Sequence, residues 1–315
     1  PANGYTPATG LLPGPANTAI AVLTGEGENQ GKLLVRILNG DRVEERAVAA
    51  AGTLAGRAIV SGRMLILPLS NGSLYRLALR DGKQLEEGPT WRAERLPTTS
   101  TCYLTPINDD ELFASDGARG ISRWQWFSTT KQFGRQGQLM LTERVGANPV
   151  VLPGSPPRLV IADARGNLNV WDAYTLKPPI LKSWRPGERN GPPGGQITDG
   201  LWLEGTGEQR RIMYAVGGRL VCLHPNDAAP KWVGPEPLKA AEGRAFIDGK
   251  RILITDRAGV VRVLDAETGK ETGEEFRLTG SHAFASAAVP VGGNRILVPL
   301  ADGTVVLGEL KKPER

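Results

Sequence analysis

One phrase of hydrophobic and polar positions recurs along the chain. It consists of a short apolar run, a polar turn that ends in glycine, and a second run in which apolar and polar residues alternate. A continuous apolar run is typical of a strand buried on both faces, and alternation is typical of a strand with one exposed face. The phrase therefore predicts a β-hairpin. Clear copies are MLILPLSNGSLYRLAL, RLVIADARGNLNVWDA and RILITDRAGVVRVLDA.

The copies align on the glycine that opens the second strand of each hairpin. Seven positions satisfy this alignment: Gly31, Gly72, Gly120, Gly166, Gly218, Gly259 and Gly303. From the first to the last, 303 − 31 = 272 residues are covered in six intervals, which is a repeat of about 45 residues. Seven such repeats fill the whole length of 315 residues, so the pattern predicts no second domain.

The turn of most copies contains an Asx residue one to four positions before the aligned glycine. Such a pair supplies both a side-chain cap and a residue that tolerates positive φ, which are the requirements of a tight hairpin turn. The Asx residues are Asn71, Asp116, Asp163, Asp256 and Asp302.

Each repeat also has a weak apolar strand before the hairpin and a polar strand after it, for example residues 147–152 and 270–276. A four-stranded sheet of this size cannot bury both faces alone, so consecutive sheets must stack, and a closed ring leaves only short edges. An open solenoid would need capping repeats with polar outer faces, which the sequence does not show. We therefore expect an all-β fold, a seven-bladed β-propeller of four-stranded antiparallel blades that forms a single domain over residues 1–315. The predicted blades are 7–50, 53–92, 95–137, 143–188, 194–236, 241–279 and 282–311.

Two local segments carry separate expectations. The last repeat ends soon after its third strand, so we predict that the residues before Thr6 lie along that free edge and join the two ends of the chain. Residues 41–51, DRVEERAVAAA, are rich in helix formers behind an aspartate. This segment is either the outer strand of the first blade or one or two helical turns, and we favour the strand.

The composition excludes several classes of protein. The chain contains 40 glycines and 24 prolines, and its longest run without either is Ile121 to Phe133, so a helical bundle, a coiled coil or a membrane-spanning helix cannot be built. The net charge of +5 is spread along the chain without a polybasic block, and only 6% of the residues are aromatic. These values argue against nucleic acid as the partner.

The segment after the second hairpin strand resembles a known family. In the sixth repeat, VVRVLDAETGKETGEEF is similar to the repeat of quinoprotein-like (PQQ-like) propellers, in which Leu-Asp-Ala is followed by Thr-Gly-Lys and then by an aromatic residue, here Phe276. Weaker versions of the motif end in Trp91, Trp184 and Trp232. The resemblance implies that these rings dock against the adjoining blade. VWDAYT in the fourth repeat resembles a WD-repeat strand, so the WD-repeat propellers are the second choice of family.

The resemblance does not carry quinone chemistry with it. As the family implies, quinoprotein enzymes are larger eight-bladed rings with a metal-bound cofactor and often two adjacent cysteines. Cys102 and Cys222 of this chain, in contrast, lie far apart in the sequence. The two histidines, His224 and His282, are isolated, and neighbours on a strand such as Ser281 and His282 point to opposite faces. We expect no cofactor, no metal site and no catalytic activity.

Arginines at the predicted hairpin tips and on the long segment 185–195 suggest a binding surface. Binding residues concentrate on loops that a rigid scaffold holds. Because aspartates share the same tips, the alternative is a mixed surface of turn chemistry and solubility. The predicted partner-binding residues are Arg119, Arg165, Arg185, Arg189 and Arg257.

The favoured function is a non-catalytic scaffold that mediates protein–protein interaction with an acidic partner. We expect a monomeric domain of a larger extracytoplasmic protein, periplasmic or secreted, because similar quinoprotein-like domains are commonly exported. The competing function is an enzyme or a small-ligand-binding propeller that uses the central channel. Several carboxylates converging on the inner strands would favour that second reading.

Overall fold

A computed structural model provides the structure of the protein. It describes residues 5–7, 12–14, 18–39, 42–48, 52–79, 85–90, 101–130, 132–177, 181–186, 188, 193–195, 197–204, 210–224, 228–234, 245–255, 259–278, 284, 288–300 and 304–312. The chain divides into two compact units. The first comprises Pro1–Val145 with Ala173–Lys177, and the second comprises Gly146–Asp172 with Pro178–Arg315.

The first unit contains three antiparallel sheets. The first sheet consists of β1 (Tyr5–Pro7), β2 (Leu12–Pro13), β3 (Ala19–Gly25), β4 (Leu33–Asn39) and β5 (Arg42–Val48). The second consists of β6 (Ile59–Ser61), β7 (Met64–Pro68), β8 (Ser73–Ala78) and β9 (Leu85–Thr90). The third consists of β10 (Leu104–Pro106), β11 (Glu111–Ser115), β12 (Gly120–Phe127) and β13 (Gln132–Met140).

The second unit contains four further antiparallel sheets. The fourth sheet consists of β14 (Val150–Leu152), β15 (Arg158–Ala162), β16 (Leu168–Asp172) and β17 (Lys182–Trp184). The fifth consists of β18 (Ile197–Glu204), β19 (Arg211–Val216), β20 (Arg219–Leu223) and β21 (Pro230–Val233). The sixth consists of β22 (Phe246–Asp248), β23 (Arg251–Thr255), β24 (Val260–Asp265) and β25 (Glu271–Arg277). The seventh consists of β26 (Val289–Pro290), β27 (Arg295–Pro299) and β28 (Val305–Glu309).

The described part of the chain is therefore all-β, as predicted. A single 3-10 turn at Gly27–Asn29 is the only helical element among these residues, and none of them forms a helix long and apolar enough to cross a membrane. Residues 42–48 form the strand β5, which confirms the favoured interpretation of that segment.

The amino-terminal expectation was wrong for Tyr5, the one described residue among those before Thr6. Tyr5 pairs with Gly25 in the first sheet, and it does not extend the seventh. The reason is that β3 has β4 on only one side, so its other edge would be unpaired without β1 and β2. Residues 1–4 lie outside the described part of the chain.

The aligned glycines adopt the backbone that the turn chemistry requires, with one exception. Gly120 has no positive φ; the left-handed position of its turn is taken by Gly117, at φ +77°. Gly120 is nonetheless constrained, because a Cβ there would lie 2.4 Å from Oδ2 of Asp116. Gly303 lies outside the described residues. The aligned glycines with positive φ are Gly31, Gly72, Gly166, Gly218 and Gly259.

The core lies between consecutive sheets, where their alternating apolar faces meet. In the first unit, Val22 and Val35 of the first sheet share a buried cluster with Leu65 of the second. In the second unit, Val160 of the fourth sheet shares one with Tyr214 of the fifth. Each large aliphatic side chain buried in this way contributes about 1.5–3 kcal/mol to stability. The repeat pattern predicts this arrangement, because each sheet needs a neighbouring sheet to cover its apolar face.

The repeated aromatic residue docks on the next sheet, as the family resemblance implied. Nε1 of Trp232 donates a 3.1 Å hydrogen bond to the carbonyl of Ala266, and its ring lies against Gly269. The ring of Phe276 lies in the same way against Gly308 of the seventh sheet. Trp184 packs against the cluster shared by the fourth and fifth sheets, and Trp91 lies outside the described residues.

An arginine at the start of a strand provides a second link between sheets. Arg251 of β23 forms an ion pair with Asp248 and donates hydrogen bonds to Oδ1 of Asn294 (2.9 Å) and to the carbonyl of Gly293 (2.6 Å), both before β27. This guanidinium therefore joins the sixth sheet to the turn of the seventh.

Candidate partner-binding surface

The two described aspartate-containing tips share one turn geometry. Oδ1 of Asp116 accepts hydrogen bonds from the backbone N–H groups of Ala118 (2.8 Å) and Gly120 (2.9 Å). Oδ1 of Asp163 accepts equivalent bonds from Arg165 (2.9 Å) and Asn167 (3.0 Å). A carboxylate that accepts two backbone N–H groups caps the turn, in addition to the backbone bonds that Asp116 and Asp163 donate to Gly120 and Asn167.

The aspartates of these tips are buried (Asp163) or half-buried (Asp116), whereas the arginines are exposed. The Asp163 residue is only 4% exposed, and its Oδ2 accepts a further 2.8 Å bond from the side-chain amide of Asn167. Arg119 and Arg165 are both exposed. The turn chemistry that the sequence suggested is therefore present, but it occupies the carboxylates and leaves the guanidinium groups at the surface.

The long connection 185–195 brings a further arginine to the tip of the fourth sheet. A Cβ on Gly166, next to Arg165, would lie 3.4 Å from Cγ of Pro186, which follows Arg185. Arg185 is exposed, and its backbone N–H donates a 3.3 Å bond to Glu188. The structure thus places the segments of Arg165 and Arg185 side by side in the second unit.

The other predicted residues lie in the first unit or outside the described residues. Arg119 lies at the β11–β12 tip of the first unit. Arg189 and Arg257 lie outside the described residues. We name the exposed residues Arg119, Arg165 and Arg185 the tip arginines.

Most ionisable groups with shifted pKa values lie away from the tips, but Cys102, whose pKa is raised by burial, is close enough to Asp116 for that carboxylate to help raise it. The hydrogen bond from Lys231 holds the pKa of Glu267 below its ordinary value of 4.5, and Arg211 contributes in the same direction. Burial raises the pKa of Cys222 to about 12 and also raises that of Cys102. Among the described residues, no three His, Cys, Asp or Glu side chains are grouped so that they could hold a metal ion.

Two groups of arginines and aromatic rings, one on each face of the third sheet, escaped the sequence reasoning. The guanidinium of Arg76 lies 3.6 Å from the ring centre of Trp126, which makes an edge-to-face contact with Phe133 at 5.1 Å. The guanidinium of Arg123 lies 5.2 Å from the ring centre of Tyr174 and donates a 3.0 Å bond to its carbonyl. The available signal was the arginine followed by three aromatic residues in GISRWQWF, residues 120–127.

Comparisons with known proteins give structural relatives only. No protein-family model and no curated protein sequence matches the chain. BamB from Moraxella catarrhalis is 16% identical, with a TM-score of 0.60 over 92% of this chain and 81% of that one. The C-terminal WD40 domain of Sif2 is 13% identical, with a TM-score of 0.64 over 98% of this chain and 81% of that one. At these identities the similarity shows the fold alone, which is a β-propeller of the PQQ-like or WD40-like type.

Proposed function

We propose that this protein is a non-catalytic β-propeller scaffold that binds another protein through its loops. In this proposal residues 1–315 form a single domain, and the seven described sheets are the seven blades of one ring. The number of sheets and the face-to-face packing of their neighbours support the count. A crystal structure tests it directly, since six or eight blades, or two facing sheets, would overturn it.

The observation that carries the proposal is the division of roles at the hairpin tips. The aspartates cap the turns by accepting backbone N–H groups, so their carboxylates are engaged within the tips. The tip arginines are exposed and present guanidinium donors that a partner can reach. A guanidinium recognises a carboxylate through two parallel N–H···O bonds, so the partner that fits is an acidic protein surface.

Location and assembly complete the proposal. The resemblance to commonly exported quinoprotein-like domains favours an extracytoplasmic site of action. We further propose that the domain is monomeric and that it belongs to a larger protein, because a scaffold of this kind presents its loops to a partner without self-association.

The experiment compares the affinity of two matched variants for a partner. Proteins cross-linked to the full chain are identified, the strongest candidate is purified, and its affinity is measured by titration calorimetry. Replacing all three tip arginines with alanine is expected to weaken binding at least tenfold, or about 1.4 kcal/mol. The matched control removes three other exposed arginines, Arg42, Arg277 and Arg295.

Comparing the tip variant with the control variant distinguishes a specific binding site from a general attraction between charges. Unchanged affinity of the tip variant would refute the proposal. Equal weakening in both variants would refute the tip site and would indicate a non-specific electrostatic attraction.

A further inference from the structure

The outer half of the third sheet carries positive charge without neighbouring acids in the sequence. From residue 117 to residue 142 the chain contains four cationic side chains and no aspartate or glutamate. The corresponding strand of the sixth sheet, β25, carries Glu271, Glu274 and Glu275. The cationic residues of this sequence segment are Arg119, Arg123, Lys131 and Arg135.

Apolar side chains are exposed on the same sheet and, at Tyr174, on the segment that follows β16 and packs beside it. Phe127 is 38% exposed, Met140 is 61% exposed, and Tyr174 is 47% exposed. The Phe127 ring lies over the backbone of Gly134, where a Cβ would come within 2.6 Å of it. Exposed aromatic residues, methionine and arginine are the residue types enriched at protein interfaces.

The edge of this sheet can accept another strand. Its outermost strand, β13, has nine residues, whereas the outer strands β5 and β25 have seven. Within the described residues β13 pairs with β12 alone, and it contains no proline. A long outer strand with an open edge provides backbone donors and acceptors for a strand from another protein.

The ring contacts favour a protein over a nucleic acid as the occupant. A base that binds a single-strand platform needs a free aromatic face. Here one guanidinium already covers a face of Trp126 and another lies over Tyr174. A guanidinium held over a ring loses little freedom when it binds a carboxylate, so the arrangement suits acidic side chains.

We propose that the third-sheet patch, defined as Arg123, Phe127, Arg135, Met140 and Tyr174, binds an extended acidic segment of a partner protein. The segment adds as a strand to the edge of β13. Arg135 and Met140 point to one face of the sheet, and Arg123 and Phe127 point to the other. An alternating segment therefore pairs its carboxylates with Arg135 on the first face and covers Phe127 with its apolar side chains on the second. This site is separate from the tip arginines and does not depend on them.

The test uses defined peptides and the full chain. The probe is a fluorescein-labelled twelve-residue peptide of alternating glutamate and valine, and binding is measured by fluorescence anisotropy at low and at high salt. Three further probes are the lysine–valine peptide, the glutamate–valine peptide with every second amide N-methylated, and a labelled oligouridine. N-methylation blocks strand pairing while it keeps the charge.

Three variants locate the site. The variant Arg123→Gln/Arg135→Gln is expected to weaken the probe at least tenfold. Because Arg123 also bonds to Tyr174, the exposed single substitution Arg135→Glu provides a second test that leaves that contact intact. The control Arg277→Gln removes an arginine that is 63% exposed on β25.

Each outcome decides the proposal. The proposal is supported if the glutamate–valine peptide binds the wild type, the control variant and the tip-arginine variant but neither patch variant. N-methylation of the peptide must also abolish its binding. No binding, equal binding to the patch variants, equal binding of the N-methylated peptide, or a preference for oligouridine would overturn it.

Discussion

The contact between Trp232 and Gly269 gives a sharp test of how adjacent sheets are joined. Gly269 has φ +70°, and a Cβ there would lie 2.4 Å from Cε3 of the indole. Ordinary contact begins near 3.4 Å, so an alanine would push the ring by 3.4 − 2.4 = 1.0 Å. Gly273 of the same sheet has φ +80° but no atom within 4 Å of the same position. The two glycines therefore separate backbone strain from packing.

The expected loss of stability follows from three contributions. Holding an alanine in the left-handed region costs about 1–2 kcal/mol at either position. At Gly269 alone, forcing the indole out of its site costs a further ~1–3 kcal/mol, and the lost bond from Trp232 to Ala266 costs about 1 kcal/mol. We expect Gly269→Ala to reduce the free energy of unfolding by about 3–6 kcal/mol and Gly273→Ala by about 1–2 kcal/mol.

The assay is urea unfolding followed by circular dichroism and by intrinsic fluorescence, whose transitions must coincide before free energies are extracted. A double-mutant cycle isolates the contact, because in a Trp232→Ala background Gly269→Ala should cost only the backbone contribution. Equal losses for Gly269→Ala and Gly273→Ala, or a cycle without coupling, would refute the reasoning.

Three further predictions concern charges and thiols. Because the hydrogen bond from Lys231 lowers the pKa of Glu267, the ionised side chain stabilises the fold above the ordinary value of 4.5 and loses this effect as the pH falls through the lower folded-state pKa. Glu267→Gln should therefore be less stable than the wild type in thermal melts at neutral pH, and the difference should shrink in acid; a constant difference down to about pH 2 would contradict this. Cys102 and Cys222 are buried and their pKa values are raised, so Ellman's reagent at pH 8 should label less than roughly 0.1 thiol per native chain and two thiols per denatured chain. Rapid labelling of the native chain would contradict the burial. Arg251→Ala should cost about 1–3 kcal/mol in urea unfolding, and Arg251→Lys should recover only part of it because lysine lacks the planar fork; an alanine variant within ~0.5 kcal/mol of wild type would show that the inter-sheet link is weak.

The hairpins and their turns could be predicted because their chemistry is local. An Asx residue and a glycine within five positions determine the turn, and alternation determines which side chains share a face. The positive φ of Gly72 and Gly166 and the carboxylate caps of Asp116 and Asp163 follow from that pattern. The exception at Gly120 arose because a second glycine, Gly117, was available in the same turn.

The candidate site could be predicted only in part. The sequence placed arginine and aspartate together at three of the tips, but it could not show that Asp163 turns inward while Arg165 stays exposed. It gave no sign that Arg123 lies over Tyr174, which is 51 residues away. Contacts of this kind depend on which sheets become neighbours, and no local pattern encodes that choice.

By itself, the sequence determined the all-β class, the repeat, the hairpin turns and the aromatic position that docks on the next sheet. Only the tertiary structure decided that Tyr5 pairs with the first sheet, that Arg251 links the sixth sheet to the seventh, and that the third sheet gathers cations and rings on its outer strands. The physical reason is range. Turns and strands arise from neighbours a few residues apart, whereas edge pairing and side-chain stacking depend on which distant backbone still has unpaired groups and uncovered apolar surface.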